Sequence, residues 1–198
     1  MPCVLCECVR ESIFGSKKIE DAPREAQKKQ KSYIEMMDLE LVVIQAEGLA
    51  IKDHAMGGLI PMSSDPYVEV RLYPEGDETP VDEILFLGKT EVREKNLSPH
   101  WDETFSKTFR AKDVTIDAYF LLTFMDCDQN EKKSNDDLMG RVKVPCHTKL
   151  TRMEETTWHP IPPDSADGEE ASGKVECTFR AHRYKKEREK EGEGSQEM

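Results

Sequence analysis

The stretch that decides the fold is Phe124-Met-Asp126-Cys-Asp128-Gln-Asn-Glu-Lys-Lys-Ser134-Asn-Asp136-Asp137. Carboxylates at this density repel one another unless a positive charge lies between them. A hard divalent cation meets that need, because calcium takes roughly 6–8 oxygen ligands and aspartates supply such oxygens. Two interpretations stay open for the stretch itself: a calcium loop, and a solvated acidic turn without a metal.

The flanks of the acidic stretch indicate which kind of calcium loop it would be. Its aspartates fall near positions 1, 3 and 12 of an EF-hand loop, but position 6, which needs a glycine, is Glu131. Residues 116–125 are aromatic and apolar over the length of a strand, and residues 138–144 end in strict alternation. Both flanks are typical of β-strands rather than helices. The sequence therefore predicts a calcium loop between two strands.

The same patterns recur along the chain, separated by turns and with no strong helix between them. We expect strands at residues 39–46, 67–73, 84–92, 103–109, 116–125, 138–144, 156–161 and 174–182. This predicts an all-β fold, an eight-stranded antiparallel β-sandwich. Trp101 and Trp158 are expected in its core. We expect three regions: a cysteine-rich, charged segment at 1–37, the sandwich domain at 38–184, and a disordered charged tail at 185–198.

Composition excludes several classes of function. The chain has 198 residues and a formal net charge of −12, which argues against nucleic acid as a partner. It does not exclude anionic membranes, because bound calcium can reverse the local sign of the charge. The sequence contains no run of about 18 apolar residues, so no transmembrane helix is expected. The amino end also lacks the pattern of a secretory signal. No histidine is spaced for a catalytic triad and no phosphate-binding glycine loop is present, so we expect no enzyme and no catalytic residues.

Three of the six cysteines, Cys3, Cys6 and Cys8, lie in the first eight residues. Without a signal peptide, a reducing cytosol is the expected compartment and a disulfide framework is not expected. Three interpretations of these cysteines stay open: S-acylation at a cytosolic terminus, half of a zinc site, and plain reduced thiols.

Five motifs stand along the chain in the order of a C2 domain, and residues 39–183 resemble that family. They are Ser64–Val68, Gly88–Thr90, Leu97–Phe105, Asp126-x-Asp128 and Asp137–Gly140. The resemblance implies a β-sandwich with three loops that form a calcium site at one end. One strand precedes the first of these loops and a final strand follows Trp158. This implies the permuted topology of the novel protein kinases C and the phospholipases rather than that of the synaptotagmins.

The resemblance also implies a ligand set. Asp53 and Asp65 match the aspartates of the first loop, Asp126 and Asp128 match the central pair, and Asp137 matches the aspartate three residues before the glycine of the motif. Ser134 lies where some members offer an extra oxygen, and Asp136 is the alternative to Asp137. With all five acidic positions present, we expect a calcium-competent member, with Ca²⁺ as its cofactor.

The first loop is long and apolar, which predicts contact with a membrane. Its apolar residues Met56, Leu59, Ile60 and Met62 are expected to insert at the acyl boundary, the alternative being that the loop folds back onto the sandwich. Lys132 and Lys133 are expected to meet anionic headgroups, or else to be ordinary solvated surface. Some C2 domains carry a basic groove on the concave face. Here Arg71, Lys89, Arg93 and Lys95 would form a weak basic strip, because Glu69 and Glu91 share it.

These expectations combine into one predicted function and its alternatives. We expect a monomeric, cytoplasmic module that binds anionic phospholipid membranes peripherally when calcium is bound, in signalling or membrane trafficking. The first alternative is a calcium-independent adaptor that binds a protein partner through its acidic rim. In a further variant, Cys3, Cys6 and Cys8 anchor that adaptor to the membrane by acylation.

Overall fold

The computed structural model describes residues 32–52, 54–55, 60–61, 63–128, 136–149, 151–166 and 171–188, with the backbone alone at 54–55 and 60–61. Within these ranges the strands are β1 (Tyr33–Glu47), β2 (His54–Ala55), β3 (Ile60–Pro61), β4 (Pro66–Tyr73), β5 (Leu85–Lys89), β6 (His100–Arg110), β7 (Tyr119–Asp126), β8 (Asp137–Pro145), β9 (Arg152–Pro160) and β10 (Lys174–Glu187). Short 3-10 turns occur at Gly76–Glu78, Val81–Glu83 and Ala111–Asp113. Nowhere in the described ranges is there a helix long and apolar enough to cross a bilayer.

Eight of these strands form two four-stranded antiparallel sheets. Sheet I has the order β6-β1-β10-β9, and sheet II has the order β5-β4-β7-β8. β2 and β3 pair with each other in a small separate ribbon between β1 and β4. The arrangement confirms the predicted β-sandwich, and the ribbon is a feature that the sequence did not predict.

The core follows from the alternation of apolar residues along the strands. Successive side chains of a strand point to opposite faces, so every second residue faces the other sheet. Sheet I contributes Leu39 and Leu41 from β1, and sheet II contributes Val70 from β4 and Leu122 from β7, all with 0% exposure. Burying each such side chain stabilises the fold by roughly 1.5–3 kcal/mol.

The two tryptophans differ. Trp101 is buried, as predicted, and its indole Nε1–H donates a hydrogen bond to the Glu91 carbonyl at 2.8 Å. Trp158 is only partly buried, so its assignment to the core was wrong. It lies in β9, at the edge of sheet I, where the Lys174 ammonium lies 4.2 Å from the centre of its ring.

The connectivity agrees with the predicted order of strands. In the described part of the chain, β1 alone precedes the first long loop, and the last strand, β10, lies between β1 and β9. The strand predicted at 39–46 begins six residues earlier, at Tyr33. Its first residues pair with the end of β10, from Tyr33 opposite Glu187 to Asp38 opposite His182. Few of these residues are buried, so the extension is held by its pairing and leaves little pattern in the sequence.

Candidate functional site

Three connections meet at one end of the sandwich, which we call the rim. They are residues 48–65 between β1 and β4, residues 90–99 between β5 and β6, and residues 127–136 between β7 and β8. The first two connections are joined by backbone hydrogen bonds from Leu49 N–H to the Leu97 carbonyl at 3.0 Å and from Asn96 N–H to the Ser64 carbonyl at 3.1 Å. Cys127 N–H joins the third connection to the first, donating to the Asp65 carbonyl at 3.1 Å. The backbone around the aspartates is therefore fixed by the fold.

Ser64 holds the first connection in place. Its side chain is fully buried, its Oγ accepts a hydrogen bond from Lys52 N–H at 2.8 Å, and it donates to the Ala50 carbonyl at 3.3 Å. These bonds bring the chain that leaves β1 back to the start of β4. Pro66 follows as the first residue of β4, a position where its missing N–H is tolerated.

Asp65 and Asp126 are in direct contact. Asp126 ends β7 opposite Pro66 in the ladder, and its Oδ1 accepts a hydrogen bond from Asp65 N–H at 2.5 Å. Asp126 is 1% exposed, so this carboxylate lies inside the rim rather than on its surface. The Asp65 carboxylate in turn accepts a hydrogen bond from Lys95 N–H at 2.7 Å. Two of the predicted ligands are thus brought together by backbone contacts.

Asp137 lies directly opposite Asp126 where β7 pairs with β8. Directly opposed residues of an antiparallel pair place their side chains on the same face, with Cβ atoms about 5 Å apart. Asp137 is exposed, unlike its partner in the ladder. The strand register therefore puts a third predicted ligand, Asp137, opposite Asp126.

Asp136 lies on the other side of sheet II. Its Oδ2 accepts a hydrogen bond from the Tyr67 hydroxyl at 2.6 Å, and its Oδ1 accepts one from Asp128 N–H at 3.3 Å. Tyr67 is 4% exposed, and burial together with this hydrogen bond raises the pKa of its phenol. The sequence did not indicate a role for Tyr67. The available signals were its place in an alternating strand and in the motif Ser64–Val68, two residues after Asp65.

Apart from the basic strip, the other predicted site residues lie outside the described side chains. They are the proposed ligands, membrane contacts and acylation sites Asp53, Ser134, Met56, Leu59, Met62, Lys132, Lys133, Cys3, Cys6 and Cys8. Ile60 is described only by its backbone in β3. Among the residues that the structure does describe, no group of three or more histidine, cysteine, aspartate or glutamate side chains is arranged to hold a metal ion. The roles assigned to these residues stay predictions.

Comparison with known proteins decides the family. A family model described as the C2 domain matches residues 37–161, which is more than half of the chain. The chain belongs to the C2 domain family. β10, which completes sheet I of this C2 domain, lies beyond the matched residues.

Synaptotagmins are among the proteins that the chain resembles. Synaptotagmin-7 of Mus musculus is 30% identical over 138 residues, which are 69% of this chain and 30% of that protein. Synaptotagmin 1 of Drosophila melanogaster is 33% identical over 138 residues, 69% of this chain and 26% of the relative. The matched segment thus spans less than a third of the length of these relatives. A solved structure, a C2 domain of plant Extended Synaptotagmin 1, covers 74% of this chain and 95% of its own, with 24% identity and a TM-score of 0.53, and it shows the same fold.

The donors at the rim of the C2 domain fit calcium by their chemistry. Asp65, Asp126, Asp128 and Asp137 offer carboxylate oxygens, the hard ligands that calcium prefers. The neighbouring Cys127 is a soft donor that suits zinc or copper instead. The ligand set that the resemblance implies also includes Asp53, with Ser134 as a further oxygen, so the described carboxylates form only a part of that set.

The predicted basic strip lies along sheet II and the adjoining rim connection, and two of its four basic side chains are paired with carboxylates. Arg71 forms an ion pair with Glu69 at 2.8 Å, and Arg93 forms one with Glu91 at 3.2 Å. The Lys89 ammonium lies 4.8 Å from the centre of the Tyr67 ring. The two ion pairs reduce the net positive charge that the strip offers to an anionic headgroup, while Lys89 keeps its charge. Lys95 lies apart from them, in the turn where its N–H contacts Asp65.

Proposed function

We propose that this C2 domain binds calcium at its rim and, through the bound ions, anionic phospholipid membranes. The observation that carries the proposal is the junction at Asp126, whose carboxylate accepts a hydrogen bond from the Asp65 N–H at 2.5 Å and which lies opposite Asp137 in the ladder between β7 and β8. A buried carboxylate such as Asp126 is costly to keep ionised unless positive charge or hydrogen bonds compensate it. A calcium ion would supply that compensation.

The proposed ligands follow from this junction. Asp53, Asp65, Asp126, Asp128 and Asp137 would hold the metal, and Ser134 would supply a further oxygen. A similar fold, the calcium-bound pair of C2 domains of Extended-Synaptotagmin 2, covers 74% of this chain and 45% of its own at 23% identity and a TM-score of 0.50. It supports the fold in which such a site occurs.

The step from calcium to membrane is electrostatic. Without the metal, the aspartates at the rim repel anionic headgroups. Bound calcium cancels or reverses that field and offers open coordination positions to phosphate or carboxylate oxygens of the lipid. Because the rim backbone is already fixed by hydrogen bonds, this switch needs little motion of the described part. The domain would act as a peripheral membrane-targeting module in the cytoplasm and not as an enzyme.

One observation favours an alternative. The carboxylates of Asp65, Asp126 and Asp136 each accept a hydrogen bond from the protein, so these positions are stabilised without a metal. A rim of this kind suits a basic protein partner without calcium. The alternative function is therefore a calcium-independent protein-interaction module, with the same face of the molecule as its binding surface.

Calcium titration by calorimetry, with and without phosphatidylserine vesicles, separates the two functions. The first proposal expects calcium binding that tightens when vesicles are present, and vesicle sedimentation that requires calcium. The variant Asp126→Asn with Asp128→Asn should lose both while keeping the wild-type circular dichroism spectrum. Vesicle binding that survives this double substitution would place the site elsewhere. Absence of calcium binding in the wild type would favour the alternative.

A further inference from the structure

Asp136 and Asp137 are adjacent in sequence, yet they lie on different faces of sheet II. Side chains of successive residues in an extended chain point to opposite sides. Asp137 lies opposite Asp126, whose side chain is on the inner face with Phe124 and Leu122. Asp136 contacts Tyr67, which is on the outward face of β4 with Glu69 and Arg71. A slight rotation of the backbone at Asp136 and Asp137 would therefore decide which of the two carboxylates faces the proposed calcium site.

Tyr67 is placed so that this rotation is opposed. Its backbone pairs with Met125 in the centre of sheet II, so its position is fixed by the ladder. The Lys89 ammonium lies against one face of its ring, 4.8 Å from the centre, and the residue is 4% exposed. Its hydroxyl is therefore held in one place, and it donates to Asp136 Oδ2 at 2.6 Å.

The same carboxylate also closes the third connection. Asp136 Oδ1 accepts the N–H of Asp128 at 3.3 Å, so the residue that ends the connection is joined to one near its beginning. The bond from Tyr67 holds Asp136, and Asp136 holds Asp128. A change at Tyr67 should therefore reach Asp128, a proposed calcium ligand, through Asp136.

We propose that Tyr67 is a positioning residue that holds Asp136 on the outer face of sheet II, so that Asp137 and not Asp136 faces the calcium site. This inference rests on the proposed function, because it assigns the last ligand of that site. It also makes a claim about the metal-free protein, namely that the hydroxyl of Tyr67 fixes both ends of the third connection.

The first test measures calcium affinity by calorimetry for Asp136→Ala and Asp137→Ala, each with Tyr67 and with Tyr67→Phe. With Tyr67 intact, Asp137→Ala removes a proposed ligand, and Asp136→Ala removes only a group that positions Asp128. Asp137→Ala should therefore weaken calcium binding by about tenfold more than Asp136→Ala does. In the Tyr67→Phe background the hydroxyl no longer holds Asp136, and the two alanine variants should become more alike. Equal losses from the two alanine variants with Tyr67 intact would overturn the inference.

The second test needs no metal. Amide hydrogen exchange at Asp128, measured by NMR in calcium-free buffer, should accelerate by about fivefold in Tyr67→Phe and in Asp136→Ala. The matched control is Tyr119→Phe, because the Tyr119 hydroxyl makes the same kind of bond to Asp77 Oδ1, at 2.7 Å, near the opposite end of sheet II. The control should leave exchange at Asp128 unchanged. Unchanged exchange in Tyr67→Phe would overturn the inference.

The two tests separate this inference from the proposed function. If the wild-type protein binds no calcium, the proposed function and the assignment of Asp137 fail together. Faster exchange at Asp128 in Tyr67→Phe would then still support the hydroxyl as the group that positions the third connection. If calcium binds but the exchange rates and the alanine variants show no dependence on Tyr67, the proposed function stands and this inference fails.

Discussion

A single glycine shows how closely the connection between β9 and β10 packs against β8. Gly140 lies in β8 with a φ of 149°, a conformation that other residues rarely adopt. A Cβ at this position would lie 2.5 Å from Cγ2 of Ile161 and 3.2 Å from Cβ of Ala171. The register between β7 and β8 shifts at the same place, between Phe124 and Met125. This shift sets which residue of β8 lies opposite Asp126, so Gly140 is tied to the geometry of the rim.

Gly140→Ala should therefore destabilise the domain by about 3 kcal/mol, from backbone strain and overpacking together. Urea unfolding followed by circular dichroism measures the loss. Gly48→Ala is the control, since its φ is also positive but the nearest atom to a Cβ is 3.9 Å away. We expect the control to lose only about 1 kcal/mol, the cost of the left-handed conformation alone. Equal losses would show that contact with Ile161 contributes nothing.

At the scale of single residues, the sequence could indicate candidate site residues only where a residue type suited to the ligand also lies at the end of a predicted strand. The aspartates could be proposed as ligands because carboxylates suit calcium and because these residues lie at the ends of predicted strands, and that assignment stays a prediction. The hydrogen bonds of Tyr67 and Ser64 could not be predicted. A tyrosine or a serine in a strand has many ordinary roles, and only the fold brings Asp136 to one and Ala50 to the other.

At the scale of secondary structure, a second tyrosine–aspartate pair ties three elements of sheet II together. Asp77, in the turn after β4, accepts hydrogen bonds from the Tyr119 hydroxyl of β7 at 2.7 Å and from the Lys143 ammonium of β8 at 2.6 Å. Tyr119 also stacks on Tyr73 of β4, with ring centres 4.8 Å apart. The Lys143 ammonium and then the Tyr119 hydroxyl lower the pKa of the Asp77 carboxyl.

This lowered pKa predicts a dependence of stability on pH. A carboxyl whose pKa falls on folding stabilises the folded state above its unfolded pKa, and that contribution is lost as the pH falls through the folded pKa. Asp77→Asn should therefore unfold at lower urea concentration than the wild type at pH 6, and the difference should narrow as the pH drops below about 4. Asp82→Asn, at an exposed acid of the next turn, is the control and should show no such narrowing. If the difference in urea midpoint between the wild type and Asp77→Asn stays constant from pH 6 to below pH 4, the lowered pKa of Asp77 does not contribute to stability.

Strands were predictable where alternation marks a buried face, as in β4 and β7. The start of β1 was not, because few of its first residues are buried and the segment is held by pairing with β10 on one side and β6 on the other. The β2–β3 ribbon has only two residues in each strand, too short for any pattern. The sequence therefore indicated the fold and most strands, and the bounds depended on neighbours that only the assembled sheets reveal.

For the whole molecule, the proposed membrane contact depends on the apolar residues in the sequence of the first rim connection. Leu59→Ser with Ile60→Ser should weaken calcium-dependent binding to phosphatidylserine vesicles by about tenfold or more, since each buried apolar side chain contributes roughly 1.5–3 kcal/mol. The calcium affinity measured without lipid should stay at the wild-type value. Vesicle sedimentation and calorimetry measure the two quantities.

A matched control is available at the other end of the sandwich. Val81, in the turn between β4 and β5, is 87% exposed, and Val81→Ser removes a similar apolar side chain away from the rim. We expect it to leave vesicle binding unchanged. If the control and the double substitution have the same effect, the first connection makes no special contact with lipid.

The long pairing of β1 with β10 brings the two ends of the domain together. Tyr33 lies opposite Glu187, and Arg188 N–H donates to the Ser32 carbonyl at 2.9 Å. From there β1 rises roughly 45 Å before it reaches the rim. A short linker could join these ends into a ring, and the chain could be reopened at an exposed turn to give a circular permutant with the same rim. A protein fused near Ser32 or Arg188 would lie at the end of the domain opposite the rim, and therefore away from a bilayer bound at the rim as proposed.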